Sequence, residues 1–159
     1  MTYDQQIRQQ LAKVIDWGDA HADFRTVVED FDEDLREAVP PGFSHSAWDL
    51  LEHLRIALWD IVEYTQDARH KSPPWPDGYW PPSHKPPQDE AWDQCVEAIT
   101  DLLDEMRKLV LDRHRPLLEP LPKSQGQTLM REALLVIDHN AYHLGQLVQI
   151  RKALKDWKK

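Results

Sequence analysis

The sequence predicts an all-α fold: a bundle of four helices with a long proline-rich loop between the second and the third. Two observations carry this. Four stretches repeat apolar residues at the helical period, and none shows the strict alternation of a half-buried strand. Between the stretches lie clusters of proline and glycine, which helix interiors and central strands do not tolerate. Amphipathic helices of this kind bury their stripes against one another.

The first stretch begins near Tyr3. Ile7, Leu11, Val14 and Ile15 share one face, and Trp17, His21, Phe24, Val28 and Phe31 extend it past Gly18. Glycine weakens or bends a helix there without having to end it. Pro40, Pro41 and Gly42 close the segment. The second helix opens at Ser46, with Asp49 three residues on in a capping pattern that also suits the positive helix start. Leu50, Leu51, Leu54, Leu58, Ile61 and Val62 form its stripe, which fades near Ala68. Residues 73–87 hold seven prolines together with Trp75, Tyr79 and Trp80. Disordered linkers are poor in aromatics, so this is read as an ordered loop whose rings pack on the body of the domain. The third helix runs from about Asp89 to Arg113, with Trp92, Val96, Ile99, Leu103, Met106 and Val110 inward. The fourth begins near Gln127 and extends to about Lys155. It is apolar on most sides between Leu129 and Leu147, which makes it central. Arg151, Lys152 and Lys155 suit its negative end.

The 159 residues suffice for one domain, 1–159, whose core needs no disulfide. The five glycines, at 18, 42, 78, 126 and 145, are too scattered for a dinucleotide turn or a phosphate loop. Cys95 is the single cysteine, which excludes an intrachain disulfide and every multi-cysteine zinc motif. With 19 Lys and Arg against 28 Asp and Glu the net charge is −9, which speaks against a nucleic-acid partner. The start of the chain lacks a signal-peptide pattern, and the longest wholly apolar run, Ala133–Ile137, is far short of a membrane span. The expectation is a soluble, cytoplasmic protein. Eight histidines and seven tryptophans stand out.

His139 and His143 form an i, i+4 pair, which places two imidazoles on one helix face with β-carbons about 6 Å apart, close enough to share a metal ion. Two hydrogen-bonded core histidines fit the pair equally well. The best third ligand is His53, between Leu51 and Leu54, with the small Ala57 four residues on. Asp49 or Asp60 could accept its other N–H; the simpler readings are a helix-start charge and a solvated carboxylate.

The run from Ser46 through Trp48, Asp49 and His53 to Leu54 resembles the second-helix motif of the DinB/YfiT-like superfamily. The run from Asp138 through His139, Tyr142 and His143 to Gln146 resembles that family's last-helix motif, in matching order and spacing. The Trp75-Pro-Asp-Gly-Tyr-Trp80 loop is similar to one subgroup, and the resemblance covers essentially the whole chain. It implies a four-helix bundle of DinB/YfiT type, often a homodimer, in which His53, His139 and His143 bind a divalent metal. Family members with assigned activities include transferases and isomerases that use small cytoplasmic thiols. Zinc or nickel come first as the metal, with iron also compatible. Three neutral ligands leave the ion's charge uncompensated and a coordination position open, the arrangement of a catalytic site.

Other residues have weaker claims. His21, on the inward side of the first helix, is a candidate fourth ligand or proton shuttle, or else a core histidine bonded to a carbonyl. Glu132, two turns before His139, is a candidate general base, or else a favourable helix-start charge. Gln146 continues the same face after His143. His45, His70, His84 and His114 flank prolines or loops and read as exposed. Cys95 reads as a small core residue, and Trp17, Trp48, Trp59 and Trp92 as core or dimer contacts. Trp75, Tyr79 and Trp80 either wall a metal pocket or cover bundle surface. The leading expectation is a metal-dependent enzyme, a thiol transferase or hydrolase, acting on a small molecule with a low-molecular-weight thiol as candidate partner. Its rivals are a non-enzymatic metal-binding stress or ligand-binding protein, and a helical interaction module without metal.

Overall fold

The computed structural model describes residues 2–16 and 18–157. Its elements are α1 (Tyr3–Val14), α2 (Phe24–Val28), α3 (Ala47–Gln66), α4 (Ala91–Leu111) and α5 (Leu129–Ala153), with short 3-10 turns at Glu33–Leu35 and Asp77–Tyr79. The fold is all-helical, and no β-strand forms among the described residues. None of their helices is long and apolar enough to cross a membrane.

Helix α3 starts as its sequence dictates. Ser46 Oγ accepts from the Asp49 amide at 3.1 Å, and Asp49 Oδ2 accepts from the Ser46 amide at 2.8 Å, a reciprocal cap. Leu50, Leu51, Leu54, Leu58 and Val62 are all buried on its inner side. They meet Trp92, Ile99, Leu103 and Met106 of α4 and Val136, Leu144, Leu147 and Ile150 of α5 in one core. Helix α3 packs chiefly on α4 and α5, whereas α1 packs chiefly on α4 and touches α5. Helix α5 meets all four other helices, the central position its apolar composition predicts.

The first stretch differs from expectation. Helix α1 stops at Val14, and a separate helix, α2, starts at Phe24. Two carboxylates define the restart. Asp16 accepts the Phe24 amide and Asp23 accepts the Thr26 amide, which starts a new helix at Phe24. The run of apolar residues past Gly18 is therefore a turn and a second helix. His21 lies exposed in that turn, its Nδ1–H donating to the Ala22 carbonyl at 2.9 Å. Trp17 lies outside the described residues.

Two buried arginines close helix ends. Arg8 donates to the carbonyls of Val110, Asp112 and Arg115 at the end of α4. Arg151, expected only to complement the dipole of α5, donates to the carbonyls of Val27, Glu29 and Asp30 and so ties α2 to the last turn of α5.

Candidate metal centre

Helices α3 and α5 bring the three histidines together. His139 and His143 lie one turn apart on α5, and His53 reaches them from the middle of α3 across a gap kept open by Ala57. His53 Nε2 lies 3.1 Å from His139 Nε2 and 3.2 Å from His143 Nε2. Ligand atoms of all three lie within 4.8 Å of one another.

The other ring nitrogens decide what that cluster can do. His53 Nδ1 lies 2.7 Å from the Tyr79 carbonyl, an acceptor only, so this nitrogen carries the proton. His143 Nδ1 donates to Gln146 Oε1 at 2.6 Å. Burial lowers the pKa of all three, with their mutual repulsion adding for His139 and His143, which are pushed down to about 4. At neutral pH the rings are uncharged. In the tautomers set by the Tyr79 carbonyl and by Gln146 Oε1 as acceptor, His53 and His143 direct Nε2 lone pairs at each other over 3.2 Å, and neither has a proton there to donate. A shared cation would resolve the contact, and the cluster is compatible with one. A divalent ion about 2.0–2.1 Å from each nitrogen would hold a tetrahedral pair about 3.3 Å apart, close to the spacing seen. His139 Nδ1 is buried without a hydrogen-bond partner among the described residues, consistent with a ring placed for its Nε2.

The proline-rich loop is part of this centre. Gly78 packs so tightly on Pro73 and Pro74 that a Cβ would lie 2.8 Å from both, and its amide donates to the Pro74 carbonyl at 2.7 Å. That turn delivers Tyr79 and Trp80. The Tyr79 hydroxyl donates to Asp60 Oδ2 at 2.6 Å, and Trp80 stacks on His53 with ring centroids 4.0 Å apart and planes 5° from parallel. His45 stacks on the opposite face of Trp80 at 4.2 Å and 9°. The far end of the loop is fastened where Ser46 Oγ donates to the His84 carbonyl. Burial and the Asp60 carboxylate push Tyr79 up to about 12, so it stays a hydrogen-bond donor. The loop thus walls the site, which the sequence left undecided.

A cavity of about 600 Å³ opens beside the histidines, bounded by this loop, α3 and α5. Gln146 lines it, as its place on the His143 face suggested. Glu132 does not. It is buried and paired with Arg131 at 2.8 Å, and seven residues of helix separate it from His139 by about 10 Å. His21 is also absent from the cluster, because the break after α1 carries it into an exposed turn. Cys95 is a buried core residue whose thiol burial holds in the protonated form, with the Glu52 carboxylate adding to the effect.

A family model for the DinB superfamily matches residues 17–147. The chain belongs to the DinB superfamily. Neither a curated protein nor a solved structure matches it at a significant level.

In this DinB-superfamily chain, sequence reasoning missed three parts of the site. His70, read as exposed, has a side chain only 8% exposed, and its Nε2 lies 2.7 Å from Asp60 Oδ1. Asp60, whose simplest reading was a solvated charge, is buried between His70 and Tyr79. It therefore reaches His53 only indirectly, through the tyrosine whose carbonyl accepts the imidazole proton. His45, also read as exposed, is half-buried against Trp80. Residue spacing carries no signal for these contacts, which exist only once the loop folds back on α3.

Two outcomes follow from this geometry. Gln146→Leu removes the acceptor that fixes the His143 ring, and metal affinity measured by chelator competition is expected to fall by about 10- to 100-fold. The second concerns pH. Between about 6.5 and about 4 the unfolded chain binds protons that buried His139 and His143 refuse. Their contribution to the stability of metal-free protein is therefore full above about 6.5 and is lost as pH falls toward 4. Thermal midpoints across this range should fall with pH, and less steeply in His139→Ala. An unchanged slope in that variant would refute the assignment.

Proposed function

We propose that this protein is a metal-dependent enzyme of the thiol-transferase or hydrolase type, built on a four-helix bundle of the DinB/YfiT type. In this reading His53, His139 and His143 hold a divalent ion, zinc or nickel first and iron next. The observation that carries it is the pair of Nε2 lone pairs facing each other at 3.2 Å with both partner nitrogens already committed as donors. A divalent ion with three neutral ligands supplies a positive charge that lowers the pKa of a water or thiol toward neutrality.

The chain's own residues contribute orientation and shelter. The Tyr79 carbonyl and Gln146 fix two of the imidazoles, the usual work of groups behind a metal ligand. Trp80 covers one face of His53 and keeps water from it. The cavity has the size of a small-molecule site. A small molecule and a low-molecular-weight thiol are the proposed reactants.

The test is optical. Protein loaded with cobalt(II) and titrated with 2-mercaptoethanol should develop a sulfur-to-metal charge-transfer band, and His143→Ala should not. A cobalt spectrum unmoved by thiol and by azide would mean a coordinatively closed ion and would favour a non-enzymatic metal-binding protein.

A further inference from the structure

We propose that the cavity beside the three histidines receives an uncharged, planar aromatic substrate, held against the exposed rings of Trp75 of the loop and Tyr142 of α5. This rests on reading the cavity as a substrate site. Both rings line it, yet Trp75 is 78% and Tyr142 65% exposed. Large apolar rings gathered in the open at one concave site are a mark of a binding surface. Neither hangs free. Trp75 is braced edge-on by Tyr79 at 5.5 Å, and Tyr142 meets the His143 ring at 4.9 Å.

Trp80 is unavailable for stacking, because His45 and His53 occupy its two faces. The faces left for a ligand are those of Trp75 and Tyr142. Ile61 and Leu135 supply apolar wall. Flat rings gain from offset or edge contacts with such aromatics in a way that saturated rings of equal size do not.

Charge sets the second half of the specificity. Among the described residues that line the cavity there is no lysine or arginine. The one acidic side chain, Asp60, has its oxygens engaged by His70 and Tyr79. A carboxylate, sulfonate or phosphate on the body of a ligand would find no cation to pair with away from the histidines. Gln146, whose Oε1 is taken by His143, retains its amide N–H groups as uncharged donors, suited to a hydroxyl or carbonyl.

The experiment is calorimetric titration of the full chain, first metal-free and then metal-loaded, with naphthalene-2-methanol, its anionic relative 2-naphthoate, and its saturated decalin analogue. The metal-free titration isolates the walls, since 2-naphthoate can bind a metal directly. There naphthalene-2-methanol should bind at least about tenfold more tightly than either of the others. Trp75→Ala and Tyr142→Ala should each weaken it by about three- to tenfold, with the oligomeric state unchanged. Equal or tighter binding of 2-naphthoate or of the decalin compound would overturn the proposal. So would variants that bind as the parent does, or that dissociate an oligomer, in which case the two rings cover a second chain. A protein that discriminates among these probes but whose cobalt spectrum is unmoved by thiol and by azide keeps the aromatic selectivity of the cavity and loses the enzymatic reading. A thiol band without discrimination does the reverse.

Discussion

His143→Ala is expected to bind its divalent ion at least about a hundredfold more weakly than the parent protein. The binding energy of a structural zinc site, about 10–16 kcal/mol, divides among its four ligands into roughly 2.5–4 kcal/mol each, on the order of a hundredfold in affinity. The remaining His53 and His139 would hold the ion by two nitrogens only. Stability should report the same loss. At a free metal concentration about a thousandfold above the dissociation constant, binding stabilises the parent by about 4 kcal/mol. For a chain of this size that raises the thermal midpoint by about 8–16 °C. In His143→Ala the same metal concentration should produce a much smaller rise. His45→Ala is the matched control. His45 touches Trp80 and stands outside the cluster, so its loss should leave metal content unchanged. Equal loss of metal from both variants would mean that general disturbance of the pocket, not ligation, is being measured.

The second large effect is structural and lies far from the histidines. Arg151 and Asp156 are almost fully buried, with Nε and Oδ2 2.8 Å apart. Arg151 also lies over the rings of Phe31 and Trp157, with its guanidinium carbon 4.9 and 5.5 Å from their centroids. Arg151→Met keeps most of the stem but leaves Asp156 buried beside no cation and three carbonyls at the end of α2 without their donor. The expected cost is about 3–5 kcal/mol, which corresponds to a fall in thermal midpoint on the order of 10 °C. The double variant Arg151→Met, Asp156→Leu should recover part of it, because removing both charges avoids the uncompensated one. A single variant that melts with the parent would show that the pair is solvated.

Much of this was legible in the sequence, for identifiable reasons. The start of α3 could be read from Ser46 and Asp49 because a cap is a local interaction between residues three apart. The His139–His143 pair could be read because helical spacing fixes which side chains share a face. The separate start of α2 was hidden because it depends on Asp16 and Asp23 capturing amides, whereas the apolar positions continue in register through Phe24 and Val28. The burial of His70 and His45 was hidden for a different reason. Each sits next to a loop or helix end, where sequence favours exposure; His45 is covered by Trp80, which only the folded loop brings near, and His70 turns back onto Trp59 and Asp60 of α3. The same loop supplies the Tyr79 carbonyl, a backbone group to which side-chain patterns are blind.

In the proposed function three imidazoles share one ion with room for a further ligand. X-ray absorption at the metal edge, on protein purified without an affinity tag, tests this most directly. The prediction is one ion per chain, a shell of three imidazole nitrogens at about 2.0–2.1 Å and at least one light-atom ligand that added thiol displaces. Fewer than three imidazoles, or a metal content unchanged when His53, His139 and His143 are each replaced by alanine, would contradict it.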